Sequence, residues 1–489
     1  MSVVVGIDIG TTTTKVAVLD PESGVRWQGS RPAAISSPKA GWAESDTQLW
    51  WENTAGILRE YTAQAEGDVL AVAVTGMVPT VIALSAEGEV LRPSIQQNDT
   101  RATTEVAEMA AELSGIDLLG RTGSALTQQS IGPKLRWMQR HEPDLAARTA
   151  SVLGSYDDIA RRLTGVVAVE ENWALESGLW DLPTRSWSGP ILAATGLDPA
   201  LLPDVVASGS VLGGVSRSAA AETGLPEGTP VVVGGADHVL SALASGAVVP
   251  GDAVVKIGGA GDILIATAEP VVDARLYLDL HAVPGSHLVN GCMATSGAAI
   301  RWFQQQFGAG RPLEVLDGEA TESGPGAGGV VFLPYLLGEK TPLHDPDARG
   351  AFVGMHLGTT PGDLFRAVLE GIAYGVRQHL NILGEHGLTA NVLRLSDGGA
   401  RSPLFGQILA DVTGREVHRL GGAQSSALGA AAVAAVAVGA WRSLDDIASH
   451  VETVAVHRPT PDASYEAAFA IYESLYPALR AIRPDGRAL

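Results

Sequence analysis

Residues 3–15, which read VVVGIDIGTTTTK, constrain the fold of this chain more than any other segment. The apolar, β-branched start predicts a buried strand that turns sharply at Gly10. Residues 16–19 predict a second strand that follows directly and ends at the turn Asp20-Pro21. Strands joined by so short a connection pair antiparallel, so we do not expect a purely parallel sheet.

The same turn has the chemistry of a phosphate site. Backbone N–H groups and threonine hydroxyls in a tight turn form a concave site for anions. The Asp8 carboxylate beside it can hold Mg²⁺ directly or through water. An ordinary hairpin with a threonine-rich turn is the alternative that this segment alone leaves open.

The chain of 489 residues is too long for one hydrophobic core. Two domains of about 250 residues fit the usual scale, and we place them at residues 1–245 and 246–489, the second with a C-terminal helical segment. The boundary falls within residues 241–251, where Pro250-Gly251-Asp252 resembles a connecting turn.

Charge and cysteine content exclude several classes of partner. The net charge is −21 and no run of Lys or Arg occurs, which argues against nucleic acid or an anionic membrane as the main partner. Cys292 is the only cysteine, so an intramolecular disulfide and a cysteine-based zinc site are excluded. No signal-like start or membrane-length apolar stretch is present, and we expect a cytoplasmic protein. The apolar residues 427–440 predict a buried helix.

Strand-like and helical stretches alternate, which predicts an α/β fold. The predicted strands are residues 69–75, 81–84, 231–234, 253–257, 263–267, 329–333 and 392–395, and the predicted helices are residues 50–66, 102–113, 238–246 and 363–383.

Apolar strands run repeatedly into turns rich in glycine and aspartate. Such turns occur at residues 8–10, 234–237, 258–261 and 397–400. They predict several ligand-binding edges at a shared cleft between two related domains.

Other motifs narrow the choice of nucleotide-binding motif and enzyme class. No Walker A segment or G-x-S-x-G elbow is present, and the histidines lack metal-ligand spacing. The glycines of a G-x-G-x-x-G pattern, at positions 324, 326 and 329, precede a predicted strand and not a helix, so we interpret them as a loop. Asp237 follows an apolar strand and opens a predicted helix. It is either an N-cap or the base that takes a proton from an attacking hydroxyl.

Longer motifs resemble those of the FGGY family of carbohydrate kinases, and within it the bacterial xylulokinases. The most specific is formed by residues 350–355 together with 363–370, which fit the second family signature. The resemblance covers residues 3 to about 440, and its other motifs are residues 42–46, 133–142, 332–342 and 398–402.

This resemblance implies two actin-like (ribonuclease-H-like) ATPase domains with ATP and sugar in the interdomain cleft. Asp237 matches the general base, and Glu370 belongs to the signature with a structural role. The implied cofactor residues are Asp8 (Mg²⁺, directly or through water) with Gly10, Thr11, Thr12, Thr13 and Lys15 in the first phosphate loop, Gly258, Gly259 and Gly261 in the second, and Gly399 and Ala400 at adenosine.

The chain departs from the xylulokinase pattern at its predicted sugar site. Pro79 replaces a histidine, and Gln97 replaces an aromatic residue. The site is therefore expected to bind a sugar with a different set of hydroxyl groups. Lys256, Gly259 and Ala260 replace hydroxyl residues of the second phosphate loop, and Gln129 and Ile131 depart from the first family signature. The implied sugar-site residues are Met77, Val78, Gln97, Asn98, Asp99 and Asp237. A polar loop that caps the following helix is the alternative for residues 96–101.

The sequence thus predicts an ATP- and Mg²⁺-dependent kinase that phosphorylates a primary hydroxyl of a small ketose or polyol. D-Xylulose is the first candidate by resemblance, and ribulose or erythritol suits the same chemistry. A non-catalytic sugar- or nucleotide-binding relative remains the alternative, although Asp8 and Asp237 are both present. The resemblance also implies a homodimer.

Overall fold

Two large β-sheets flanked by helices organise the computed structural model, which describes residues 2–64, 67–422 and 425–482. This mixed architecture confirms the α/β prediction. The first sheet has the strand order Val211–Gly214, Pro230–Ala236, Asp68–Gly76, Ser2–Ile9, Thr13–Asp20 and Gly24–Pro32. The second has the order Tyr277–Leu280, His287–Met293, Gly261–Thr267, Ala253–Ile257, Val392–Asp397, Glu416–Leu420 and Thr453–His457.

The two sheets repeat one topology. Ser2–Ile9 pairs antiparallel with Thr13–Asp20 and parallel with Asp68–Gly76. Ala253–Ile257 likewise pairs antiparallel with Gly261–Thr267 and parallel with Val392–Asp397. Because the carboxyl ends of parallel strands lie at one edge of a sheet, the Gly/Asp turns of each half collect at one edge.

The sheets are covered by helices of very different length. The α-helices are Thr47–Thr62, Thr103–Glu112, Leu118–Thr122, Ile131–His141, Pro143–Arg148, Ser155–Thr164, Glu171–Glu176, Gly189–Thr195, Arg217–Thr223, Asp237–Ala244, Gly297–Gln306, Leu313–Ser323, Pro361–Glu385, Pro403–Thr413, Ser426–Ala437 and Ala463–Ile482. Among the described residues there are also five short strand pairs: Glu44–Ser45 with Ser94–Ile95, Ile82–Leu84 with Ser151–Leu153, Val169–Glu170 with Val205–Val206, Trp180–Asp181 with Ser186–Trp187, and Val331–Leu333 with Ala351–Val353.

Most predicted elements are present with shifted ends. The helix predicted over residues 50–66 is Thr47–Thr62, and residues 65–66 lie outside the described residues. The glycine-rich segment forms the short 3₁₀ turn Ala327–Gly329 before the strand Val331–Leu333, which confirms that it is a loop. Among the described helices, none is long and apolar enough to cross a membrane.

The helix Ser426–Ala437 returns from the second half of the chain to the first sheet. It is buried from residue 426 to residue 435 and has no polar face, as expected for a helix covered on all sides. A Cβ at Gly6 would lie 1.8 Å from the carbonyl oxygen of Ala427, and one at Gly429 would lie 2.0 Å from that of Leu240. The helix therefore locks the first sheet to the helix Asp237–Ala244.

The contact between Gly6 and this helix predicts a large stability effect. We expect Gly6→Ala to lower the free energy of unfolding by about 3 kcal/mol, since backbone must move to admit the methyl group. Gly318→Ala is the control, because a Cβ there meets nothing within 4 Å, and alanine raises helix stability by about 0.5–1 kcal/mol. Thermal and denaturant unfolding measure both variants, and equal stabilities would refute the packing account.

Candidate active site

The turn after the first strand brings a buried carboxylate to the edge of the first sheet. Asp8 and Lys15 are paired positions on the antiparallel strands, with Lys15 Nζ 4.0 Å from Asp8 Oδ2. The N–H of Gly10 donates to the carbonyl oxygen of Thr13 at 3.1 Å and closes the turn. A Cβ at Gly10 would lie 2.9 Å from the same oxygen, so the turn favours glycine.

Asp8 is 3% exposed, and its Oδ1 has no hydrogen-bond partner among the described residues. Burial and the nearby Asp237 carboxylate raise the pKa of Asp8 to about 6, against the opposing effect of Lys15. A buried, unpartnered carboxylate oxygen is costly unless something binds it. The donor set therefore fits a hard divalent cation, which prefers carboxylate oxygen.

Asp237 is the first residue of the helix Asp237–Ala244, and it follows the strand Pro230–Ala236. Ala236 occupies the cap position, and no side chain caps this helix end. Asp237 Oδ1 accepts a hydrogen bond from the backbone N–H of His238 at 2.7 Å. Its side chain is 30% exposed and lines a cavity, so the geometry does not give Asp237 the ordinary capping role.

His238 lies between two carboxylates. Its Nδ1 is 3.5 Å from Asp237 Oδ1, and its Nε2 is 2.9 Å from Asp279 Oδ2. Burial alone lowers the pKa of His238, but Asp279, Asp237 and Glu176 together raise it well above its ordinary value. For Asp237, the hydrogen bond from His238 and the charges of Lys256 and His238 outweigh burial and hold the pKa below its usual value. Asp237 is therefore ionised at neutral pH.

Asp237 lines a cavity of ≈ 140 Å³, which we call the smaller cavity. This volume suits a small sugar and is too small for a nucleotide. Charged, amide and hydroxyl side chains dominate its wall. They are Asp237, Asp262, Asp279, Glu176, His238, Lys256 and Lys340, with Gln97, Gln129, Asn290, Ser124, Thr127, Ser130 and Tyr277.

A chain of three side chains crosses the wall of the smaller cavity. The hydroxyl of Tyr277 donates to Gln129 Oε1 at 2.9 Å, and Gln129 Nε2 donates to Gln97 Oε1 at 3.3 Å. The buried Lys134 Nζ donates to the carbonyl oxygens of Gln96 and Gln129, both at 3.0 Å. Lys134 therefore fixes the two glutamine-bearing segments, and Tyr277 joins them to the second half of the chain.

The predicted sugar-site residues do not all reach this cavity. Val78 and Gln97 line it, whereas Met77, Asn98 and Asp99 do not. Asp99 is fully buried, accepts a hydrogen bond from the N–H of Ala43 at 2.6 Å and pairs with Arg101 at 2.7 Å. Its role in the structure is to hold the loop that carries Gln97.

A second cavity of ≈ 1080 Å³, the larger cavity, is lined by the glycine turns of the second half of the chain. Both cavities have Lys256 in their walls, so they meet at this side chain. The predicted phosphate and adenosine residues in the wall of the larger cavity are Lys15, Gly258, Gly259, Gly399 and Ala400. Of the other predicted loop residues, Gly261 begins a strand, and Thr11, Thr12 and Thr13 lie in or at the end of the first turn.

The larger cavity also receives the start of a helix. Ser425 caps the helix Ser426–Ala437 by accepting a hydrogen bond from the N–H of Leu428, and both Ser425 and Ser426 line the cavity. Free N–H groups at a helix start attract phosphate. The cavity therefore offers glycine backbone, a helix start and lysine side chains to an anionic ligand of nucleotide size.

Glu370 lies away from both cavities. It is 1% exposed, accepts hydrogen bonds from Arg366 Nε at 2.8 Å and from the N–H of Gly326 at 3.0 Å, and holds the glycine loop against the helix Pro361–Glu385. These contacts agree with the structural role predicted for it.

Both halves of the chain match the FGGY family of carbohydrate kinases. Residues 3–244 match its N-terminal domain, and residues 255–438 match its C-terminal domain.

Individual relatives give the same result. A xylulose kinase of Bacillus subtilis is 30% identical, with 97% of each chain covered. A gluconokinase of Bacillus licheniformis is 27% identical, with 95% of this chain and 93% of the relative covered. The crystal structure of a xylulose kinase from Rhodospirillum rubrum superposes with a TM-score of 0.92 at 42% identity, covering 98% of this chain and 99% of that one.

Proposed function

Since the chain belongs to the FGGY family of carbohydrate kinases, we propose that it transfers the γ-phosphate of ATP to a primary hydroxyl of a small ketose or polyol. It is a xylulokinase-like carbohydrate kinase. The observation that carries the finer proposal is the junction of the two cavities. Asp237 faces the smaller cavity, which suits the acceptor, and this cavity meets a nucleotide-sized one at Lys256.

In this proposal Asp237 is the general base. Its carboxylate accepts the proton of the acceptor hydroxyl as the oxygen attacks phosphorus, and its low pKa keeps it ready to do so at neutral pH. His238 is a positioning residue, because its contacts with Asp237 and Asp279 fix the orientation of the base. Phosphoryl transfer depends mainly on positioning and electrostatic stabilisation, which such a rigid arrangement provides.

The residues that would hold the nucleotide and its metal ion come from both halves of the chain. Asp8 would hold Mg²⁺, directly or through water, and its unpartnered Oδ1 fits this role. The bound ion would neutralise charge on the phosphates. The turn from Gly10 to Thr13 and the glycines Gly258, Gly259 and Gly261 would bind phosphate, and Gly399 with Ala400 would contact adenosine.

D-Xylulose is the first candidate acceptor, because xylulose kinases are prominent among the relatives. Ribulose and erythritol remain alternatives, and the gluconokinase relative shows that identities near this level span different acceptors. We assign acceptor binding to Val78, Gln97 and Asp237 directly. Met77, Asn98 and Asp99 would act by shaping the surrounding loops.

Gln97 provides the most direct test of which side chains bind the acceptor. We expect Gln97→Ala to raise the KM for the acceptor about tenfold, since it removes a polar group from the wall and its bond to Gln129. The KM for ATP should not change. Gln128→Ala is the matched control, because Gln128 does not line the smaller cavity. Steady-state kinetics with each substrate varied separately decides the matter, and an unchanged acceptor KM would remove Gln97 from this role.

The proposed activity is tested by ADP release from the purified protein with Mg-ATP across a panel of acceptors. The panel contains D-xylulose, D-ribulose, erythritol, glycerol and gluconate. We expect one of the ketoses or polyols to raise ADP release far above the acceptor-free background. Tight ATP binding with no stimulation by any acceptor would favour a non-catalytic binding protein. The proposed homodimer is checked on the same sample by light scattering.

A further inference from the structure

Lys256 occupies the meeting point of the two cavities. It belongs to the strand Ala253–Ile257, immediately before the glycine turn that begins at Gly258. Its register partners on the neighbouring strands are Asp262 and Ser396. In the part of the chain that the structure describes, no other lysine or arginine lines both cavities. Any group that passes from the larger cavity to the smaller one therefore passes this side chain.

Four carboxylates act electrostatically on Lys256, two from each half of the chain. Asp8 and Asp237 come from the first half, and Asp262 and Asp397 come from the second. Burial disfavours the charge of Lys256, but these carboxylates raise its pKa above the ordinary value. Within residues 2–64, 67–422 and 425–482, no carboxylate oxygen lies within 4.0 Å of its Nζ, and its side chain makes no described hydrogen bond. The Lys256 ammonium is therefore charged and half-buried, and no described side chain binds it.

The turn beside Lys256 lacks side-chain donors. Residues 258–261 are three glycines and Ala260. The N–H of Gly258 already donates to the carbonyl oxygen of Ala260 at 3.0 Å, and the carbonyl oxygen of Gly259 accepts from the N–H groups of Ser296 and Ala298. The turn thus offers close backbone approach but no positive charge of its own. Arg301 lies beside it, since a Cβ at Gly259 would be 3.4 Å from its guanidinium, but Arg301 lines only the larger cavity. A phosphate that moves from this turn toward the smaller cavity therefore has Lys256 as its cation.

We propose that Lys256 binds the phosphoryl group that is transferred, in the position between the two cavities. This inference rests on the proposed function and names a further catalytic residue for it. The bond from the γ-phosphorus to the β–γ bridging oxygen breaks, and the bond from the acceptor oxygen to the γ-phosphorus forms. The hydroxyl proton goes to Asp237, and ADP leaves with the bridging oxygen. Lys256 keeps its protons throughout and neutralises charge on the non-bridging oxygens.

This assignment explains why a half-buried lysine stands here without a partner among the described residues. Ammonium is a compact point charge that binds phosphate well, and a fixed cation placed where negative charge develops stabilises the transition state. A counter-ion that merely balances the four carboxylates is the competing explanation. The two differ in one respect: only a phosphoryl-binding lysine distinguishes a triphosphate from a diphosphate.

The test compares nucleotide affinities without an acceptor. Titration calorimetry with Mg²⁺ measures the dissociation constants of ADP and of the non-hydrolysable β,γ-imido analogue of ATP. In Lys256→Met, we expect the analogue to bind about 10- to 100-fold more weakly, the range for a hydrogen bond to a charged group. ADP affinity should be nearly unchanged. Lys256→Arg keeps the charge and should retain part of the preference for the analogue.

Lys340→Met is the matched control, because Lys340 lines the smaller cavity and not the larger one. It should leave both nucleotide affinities unchanged. Equal weakening of both nucleotides by Lys256→Met, or no weakening of either, would overturn the inference. If Lys256→Met does not fold, Lys256→Gln takes its place: selective weakening of the analogue supports the inference, and equal or no weakening of the two nucleotides overturns it. A wild-type protein that binds neither nucleotide would instead overturn the proposed function, so the two failures are distinguishable.

Discussion

Asp237→Asn is expected to lower kcat by about 10²- to 10⁴-fold, the usual contribution of general acid–base catalysis. Asparagine keeps the size of the side chain but does not accept the hydroxyl proton. Affinities for Mg-ATP and the acceptor should change little, because the shape of the smaller cavity is preserved. Rapid-quench measurement of the chemical step, with equilibrium binding of both substrates, separates these quantities.

Asp204→Asn is the control for this substitution, because Asp204 is exposed and lines neither cavity. It should match the wild type in every measurement. Near-normal turnover by Asp237→Asn would remove Asp237 from the role of base, while loss of binding without loss of the chemical step would make it an acceptor-binding residue only.

Asp8→Asn is expected to abolish most of the Mg²⁺-dependent gain in ATP affinity. It should lower kcat/KM by about 10- to 100-fold, the range that corresponds to the roughly 1.5–3 kcal/mol of a hydrogen bond to a charged group. Binding of ATP in EDTA should be nearly unaffected. Asp68→Asn is the control, because Asp68 is exposed at the opposite end of the same sheet, where it pairs with Ser2. Titrations at several Mg²⁺ concentrations measure the effect.

The pH dependence gives a second readout for Asp8. Because its pKa is raised to about 6 by burial and by Asp237, protons compete with the metal ion as the pH falls through this value. The wild type should therefore need more Mg²⁺ for half-maximal activity at low pH, and Asp8→Asn should lack this dependence. A Mg²⁺ requirement that rises equally in both proteins would place the ion elsewhere.

The sequence predicted the long, strongly patterned elements well. The opening strand pair, the helix Pro361–Glu385 and the apolar helix Ser426–Ala437 all carry a continuous apolar pattern, and their type was evident. The strands Gly24–Pro32 and Thr453–His457 were not predicted. Gly24–Pro32 alternates with exposed polar residues at the edge of its sheet. Thr453–His457 is a short edge strand whose valines are exposed, so neither strand has the long buried apolar run that marks a central strand.

The candidate site was predictable only where a local motif carries it. Asp8 and Asp237 each follow an apolar strand, and this local signal made both of them candidate site residues. His238 and Asp279 are 41 positions apart, and Gln129 and Tyr277 are 148 apart. No local pattern joins such pairs, because only the folding of the two halves against each other brings them together.

Two of the departures from the family pattern are linked in the structure. The differences at Gln97 and Gln129 belong to one hydrogen-bonded chain that reaches Tyr277. The sequence showed each as a separate substitution. In the structure they form one hydrogen-bonded part of the wall of the smaller cavity, and the Gln97→Ala prediction tests whether that wall binds the acceptor.

The central claim is that phosphate passes directly from a nucleotide in the larger cavity to a hydroxyl in the smaller one. The most direct measurement follows the label from [γ-³²P]ATP in a single turnover with D-xylulose and the other acceptors. Phosphorus NMR of the product then identifies the hydroxyl that carries the phosphate. The account predicts label on a primary hydroxyl of one acceptor and little free phosphate. Label that appears only as inorganic phosphate, or that never leaves ATP with any acceptor, would contradict it.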